Sequence, residues 1–202
     1  MEGKKQFIIL GNMNAITYRE VFPLLKENIV WLGYKSLNQD MYFNVTNEYK
    51  AWLLYNKKEG SAYKIIDGIV MGRLASACWF TNIDHGKRHE VLQLDTMAHN
   101  LKYNKKLKKR FDSLGVVDYP QYDNYDAIEV PFMECIPSDY EGMMGVPITF
   151  MDSFNPEQFE IDGYCASHGK LPKGIPNESP YMFGGWVYNR ILIHHKKGAT
   201  TP

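Results

Sequence analysis

The sequence lacks any apolar run near the ~18 residues that a membrane-spanning helix needs. Its opening Met1-Glu-Gly-Lys-Lys also lacks the apolar core of a secretion signal. Its three cysteines, Cys78, Cys135 and Cys165, are odd in number, widely spaced and form no Cys-x-x-Cys pair. That pattern argues against a disulfide framework and for a reducing, cytoplasmic setting without a membrane. Internal repeats and low-complexity segments are absent. A content of 45% hydrophobic and 14% aromatic residues in 202 is enough for a real core, which argues against disorder.

Net charge is also lacking, but the zero conceals blocks. Residues 85–110 hold eight Lys/Arg against two acids, whereas residues 111–162 hold twelve Asp/Glu and no Lys or Arg. The last forty residues return to five bases and one acid. Such bipolarity concerns partners rather than fold: a polyanion suits the basic stretch, and the acidic stretch faces elsewhere or covers it.

Patterning predicts alternating short elements. Gln6–Leu10 is an apolar run without alternation, expected as a strand buried on both faces with its carboxyl end at a ligand cleft. With only six residues ahead of Phe7, the chain looks like a sheet entered in its middle. Thr17, with Glu20 three residues on, has the spacing of a capping box for a helix to Asn28, which Pro23 kinks or delays. Ile29–Leu32 and Met41–Val45 suit short strands, and Tyr63–Met71 with Ala75–Thr81 suits an antiparallel pair. A helix is expected within Thr96–Leu114, loops and short strands over Val116–Phe154, and a last strand at Trp186–His194.

Six segments, in order, carry a resemblance. They are Phe7-Ile-Ile-Leu-Gly-Asn-Met-Asn-Ala-Ile-Thr-Tyr-Arg-Glu-Val-Phe-Pro, Ile29-Val-Trp-Leu-Gly-Tyr, Cys78-Trp-Phe-Thr-Asn-Ile-Asp-His, Tyr122-Asp-Asn-Tyr-Asp-Ala-Ile, Met144-Gly-Val-Pro-Ile-Thr-Phe and Asn155-Pro-Glu-Gln-Phe-Glu-Ile. Together they resemble the C-terminal portion of the EcoRI-type adenine-specific DNA methyltransferases. The resemblance implies N6-adenine methylation of double-stranded DNA with S-adenosylmethionine, on a base taken out of the stack. It also exposes an absence. Neither the family's glycine-rich cofactor turn nor its Asn/Asp-Pro-Pro-Tyr/Phe motif is in these residues. Asp118-Tyr-Pro-Gln-Tyr and Asn155-Pro-Glu-Gln-Phe lack the paired prolines, and Asn155 is expected to open a turn.

Candidate residues each have a bland alternative. Asn12 and Asn14 follow the first strand and suit a cofactor or base pocket wall, or turn chemistry. Trp79, Phe80 and Asn82 suit stacking and hydrogen bonding to a base, or core packing. Lys102, Lys105, Lys106, Lys108, Lys109 and Arg110 suit phosphate contacts, or a solvated helix face. Arg73, Lys87, Arg88 and His89 are further DNA candidates. His85 and His89 share an i,i+4 spacing but lack a third ligand, so no metal site is assigned. Asp123, Asp126, Glu129 and Glu134 suit a solvated or base-reading loop better than a metal site.

The reading is an α/β chain: the later strands of a Rossmann-like methyltransferase sheet, followed by an irregular α+β target-recognition region. The division is 1–96, the C-terminal part of a catalytic domain, and 97–202, a DNA target-recognition region. No catalytic residue is assigned. The chain alone is expected to bind S-adenosylmethionine weakly or not at all, with a separate N-terminal half-enzyme as candidate partner. A non-catalytic DNA-binding module and a protein-interaction domain using the acidic stretch are the alternatives.

Overall fold

The computed structural model describes residues 5–35, 37, 39–165 and 179–196. In chain order the elements are β1 (Ile8–Asn12), α1 (Phe22–Lys26), β2 (Trp31–Leu32), β3 (Met41–Asn44), α2 (Asn47–Asn56), β4 (Tyr63–Ile66), β5 (Ile69–Leu74), β6 (Ala77–Thr81), α3 (Met97–Tyr103), α4 (Lys105–Leu114), β7 (Ala127–Glu129), β8 (Met143–Pro147), β9 (Phe159–Cys165), β10 (Tyr181–Met182), β11 (Gly185–Trp186) and β12 (Arg190–His195). This is a mixed α/β chain of several small sheets and few helices. It packs as two units, Met1–Ala15 with Leu32–Ile83, and Ile16–Trp31 with Asp84–Pro202.

In the first unit a three-stranded sheet runs β1-β6-β2, and β1 pairs antiparallel with β6 from Ile8↔Thr81 to Asn12↔Ala77. The expectation of a strand buried on both faces is therefore corrected. β1 lies at an edge, and Ile8, Ile9 and Leu10 are 63%, 54% and 38% exposed. Its apolar run is present, but among the described residues it has one strand neighbour and no cover.

The second sheet of this unit runs β3-β5-β4. The expected partner of the Tyr63 strand is corrected too. The run turns back on itself at Asp67-Gly68, whose φ values of 50° and 76° give the left-handed pair that a tight two-residue hairpin needs. β6 is thereby released to pair with β1. Helix α2 starts at Thr46, whose side chain accepts from Tyr49 N (3.3 Å), and buries Leu53 completely. Patterning misses this helix because its apolar side chains are not gathered on one face: Tyr49, Trp52, Leu54 and Tyr55 stay exposed.

The second unit is built on a four-stranded sheet of order β7-β8-β12-β9. β7 is parallel to β8, and β12 is antiparallel to both β8 and β9. Met144, Val146, Ile191 and Ile193 are fully buried on its central strands. The capping box at Thr17 does not form a helix. A 3-10 turn covers Met13–Thr17, and α1 begins only at Phe22, with Pro23 in its first turn where no backbone N–H is required. Asn28 ends that segment in the left-handed region, at φ 54°.

The single helix expected over Thr96–Leu114 is two. Asn104 closes α3, and its side chain caps α4 by accepting from Lys106 N (3.1 Å) and Leu107 N (3.0 Å). Such a cap contributes about 1 kcal/mol, enough to favour a break at this asparagine. Asn155 opens a turn as expected, its Oδ1 accepting from Glu157 N at 2.8 Å.

Candidate nucleic-acid interface

Helix α4 buries Leu107 and Phe111 and rests Leu114 against a core cluster of Tyr122, Ala127, Cys165, Met182 and Leu192. That i, i+4, i+7 stripe leaves Lys105, Lys106, Lys108, Lys109 and Arg110 on the outward faces, all exposed. Lys106 is engaged. Its Nζ lies 2.8 Å from Glu134 Oε1 and 4.0 Å from the Phe132 ring centre, and against partial burial it holds the Glu134 carboxyl below its usual value. Lys105, Lys108, Lys109 and Arg110 make no ion pair with any described residue. On α3, Lys102 Nζ sits 4.9 Å above the Tyr103 ring.

A groove of about 1020 Å³ opens beside this helix, lined by Arg110 and Leu114 on one side and by Phe183, Trp186 and Tyr188 on another. These aromatics belong to the β10–β11 hairpin and the turn after it, and they are 59%, 65% and 86% exposed. The hairpin is pinned by Tyr181 N donating to Asn124 Oδ1 (2.8 Å), Asp123 N to the Tyr181 carbonyl (2.7 Å) and Val187 N to the Pro180 carbonyl (2.8 Å). Met182 and Val187 sit on the same core cluster as Leu114, so one core seats both walls.

Beneath the groove lies a buried polar network. Glu129, 1% exposed, accepts from the Tyr122 hydroxyl and from Arg190 through Nη2 and Nε, the last at 3.0 Å. Against burial, the bond to Glu129 and its charge hold the Arg190 guanidinium above its ordinary pKa, while burial pushes the Tyr122 phenol up. Glu129 is therefore not in a solvated acidic loop, which corrects that expectation. Sequence proximity groups it with Asp123 and Asp126, which are exposed.

The other sequence candidates are spread over the chain. In the first unit, Asn12 and Asn14 are exposed, and Asn12 Oδ1 accepts from Asn14 N (2.8 Å), the turn alternative. Phe80 is buried and Trp79 half-buried. Asn82 ties down the start of β1, with Oδ1 accepting from Phe7 N and Nδ2 donating to the Lys5 carbonyl, both at 2.9 Å. Arg73 forks onto Asp40, with Nη2 and Nε each 2.9 Å from a carboxylate oxygen.

In the second unit, Lys87 pairs with Asp152 at 2.8 Å. Arg88 bonds Asp84 and Asn28 and lies 3.5 Å over the Trp31 ring centre. His89 contacts Asp84 (3.0 Å) and Glu157 (3.2 Å). Among the described residues no group of three or more His, Cys, Asp or Glu could hold a metal ion, and no helix is long and apolar enough to cross a membrane.

The model of the family described as adenine-specific methyltransferase EcoRI matches residues 1–196. The chain belongs to this EcoRI-type family. It is 37% identical over 193 residues to the Type II methyltransferase M.EcoRI of Escherichia coli, covering 96% of this chain and 51% of that protein. Identity is 37% over 161 residues to the Type II methyltransferase M.MgeORF184P of Mycoplasma genitalium, covering 80% of this chain and 45% of the relative. It is 36% over 164 residues to M.MpnI of Mycoplasma pneumoniae, covering 79% and 44%. The chain thus spans about half the length of these relatives. No solved structure matches it.

Membership implies S-adenosylmethionine in the complete enzymes. Of the residues read from the sequence as a cofactor or base pocket wall, Asn12 and Asn14 are exposed and bonded to each other, Trp79 is half-buried, Phe80 is buried, and Asn82 is bonded to Phe7 and Lys5. The sequence carries no glycine-rich cofactor turn.

Proposed function

We propose that residues 1–202 form the DNA-gripping part of a DNA adenine-N6 methyltransferase and do not catalyse methyl transfer alone. In this reading residues 1–96 complete a Rossmann-like catalytic sheet and residues 97–202 grip the target, double-stranded DNA. The observation that carries it is α4: a row of cations, of which Lys105, Lys108, Lys109 and Arg110 make no ion pair among the described residues, held outward by a buried Leu107/Phe111 stripe. Phosphate contacts of this kind give sequence-independent affinity that falls steeply with salt. The uncovered apolar β1 supports the catalytic half of the proposal. A strand of that composition suits burial inside a larger sheet, which further polypeptide bearing the glycine-rich turn would provide. S-adenosylmethionine is held by that further polypeptide in this reading.

The test is duplex binding as a function of salt, with Lys105, Lys106, Lys108 and Lys109 changed to Gln. Affinity is expected to fall for specific and random duplexes alike, and the slope of log K against log salt to flatten by about 0.9 for each phosphate left unneutralised. Lys106→Gln alone is expected to matter least, because Glu134 already holds that side chain. Unchanged affinity and slope would reduce the run to a solvated face. A non-catalytic DNA module rests on the same helix. Adding the polypeptide that carries the missing motifs separates the two: methyl transfer appears only if the chain is part of an enzyme. Glu129, Glu134 and Asp152 are tied to Arg190, Lys106 and Lys87, which leaves the protein-interaction alternative without a free acidic surface at those positions.

A further inference from the structure

We propose that the groove beside α4 is a stacking site for an unpaired nucleobase, with the faces of Trp186 and Tyr188 as the platform and Arg110 as the phosphate contact. This rests on the DNA reading above and assigns to it a site and a ligand chemistry. Aromatic rings left bare on a surface lose the hydrophobic gain of burial, and here three surround one groove. Their backbone is held by the hairpin bonds to Asn124, Asp123 and Pro180. Tyr181 braces Trp186 edge-on, with ring centres 4.9 Å apart at 69°, which leaves the indole 65% exposed.

Phe183 is held at φ 54°, beside Gly184 at 75°, on the tip of the hairpin. A bulky side chain in the left-handed region is costly, and a turn selected for stability alone favours Asn, Asp or Gly there. The ring is exposed, so core packing does not explain it.

Charge selects the occupant. The opposite wall carries Arg110, from the row of cations in which Lys105, Lys108 and Lys109 make no ion pair among the described residues. Apolar π faces with cations alongside suit a strand of nucleic acid, whose bases stack and whose phosphates pair. Bases inside a duplex already have both faces covered, so the ligand is a base out of the stack.

The test uses the full chain and three probes: a perfect duplex, the same duplex with one unpaired adenine, and a single-stranded oligonucleotide. The unpaired-base duplex is expected to bind more tightly than the perfect one. Trp186→Ala and Tyr188→Ala are each expected to weaken binding of the unpaired-base and single-stranded probes by roughly 5- to 150-fold, with the salt slope kept. Trp186→Phe is expected to retain most of the affinity. Far-UV circular dichroism controls for folding, which these exposed positions are expected to leave intact.

Equal binding of all three probes by wild type and both alanine variants overturns the proposal. If the Lys→Gln set still weakens binding in that case, the phosphate grip stands and only the stacking site fails. A dimer that Trp186→Ala dissolves, with oligonucleotide affinity unchanged, also overturns it and makes a second copy the occupant.

Discussion

Removing Glu129 alone is expected to damage this chain more than removing Glu129 and its partners together. Glu129 is 1% exposed and Arg190 8%, on strands β7 and β12, with β8 between them. Each charge has been stripped of water, each is satisfied by the other, and Glu129 also accepts from Tyr122. Glu129→Ala strands a buried guanidinium whose remaining bonds are to the Tyr188 and Asn189 carbonyls at 3.4 and 3.3 Å. Breaking a buried pair from one side costs about 3–5 kcal/mol. For a domain of ordinary stability, about 5–15 kcal/mol, that is a large share.

With an m-value of about 2 kcal/mol/M, the urea midpoint is expected to drop by roughly 1.5–2.5 M. The triple variant Glu129→Leu/Arg190→Met/Tyr122→Phe replaces every member by an apolar group of similar size. It is expected to lie within about 2 kcal/mol of wild type, because the desolvation cost disappears along with the attraction. Urea titrations of the wild type, the three single variants and the triple variant give the coupling directly. The reasoning is refuted if the single losses stay below about 1 kcal/mol, or if they simply add up to the loss in the triple.

Three further outcomes are expected. Gly145→Ala should destabilise by about 1–3 kcal/mol, because a Cβ there would overlap the Tyr122 hydroxyl. Tyr122→Phe should relieve only part of that, since ring carbons lie 2.7 and 2.8 Å away, and a full rescue in thermal melts would contradict this geometry. Cys135 and Cys165 should resist a thiol reagent until the chain unfolds: both are fully buried, and burial pushes each thiol up to about 12, so little thiolate exists near neutrality. Labelling of either in the native state, read by mass spectrometry, would contradict the packing. His89 supplies the pH dependence. Hydrogen bonds to Asp84 and then Glu157 raise its pKa, so the protonated ring adds stability below about 6.5 that is lost as pH rises through the folded value. Asp84 is held down by His89 and Arg88, so its share persists until pH falls below its ordinary 3.8. His89→Asn should therefore flatten the thermal midpoint between pH 6 and 8, and an unchanged slope would remove His89 from the cluster.

The parts of the fold legible in the sequence are those where local chemistry and tertiary packing agree. Tyr63-Lys-Ile-Ile and the run through Ala77–Thr81 are rich in aromatic or β-branched residues, and both are strands. The partner of a strand is another matter. Asp67-Gly68 is a strong hairpin signal, yet it sits inside an apolar run that reads as continuous, so the expected pairing falls one strand too far along. β1 shows the opposite limit. Its apolar composition describes the environment the strand suits, while its exposure describes the neighbours these residues supply. The two disagree because burial is a property of the whole sheet.

The cations of the candidate interface are visible in the sequence because charge is a property of each residue alone. Whether a cation is free is not. Lys87, Arg88 and Arg73 are engaged by Asp152, by Asp84 with Trp31, and by Asp40, partners as far as 65 positions away. Nothing in local spacing separates them from Lys108 or Lys109. The aromatic wall is hidden for a related reason. Trp186-Val-Tyr reads as the start of a last strand, and the strand begins only at Arg190. The two adjacent glycines are the available signal, since a left-handed pair at Phe183-Gly184 turns the chain and holds Trp186 and Tyr188 out of the core. A Phe183→Asn substitution separates turn from ligand. Asparagine suits the left-handed position better, so it is expected to keep or raise stability. If the Phe183 ring contributes to binding, the same change weakens oligonucleotide affinity, and a variant that is more stable and binds equally well confines Phe183 to the turn.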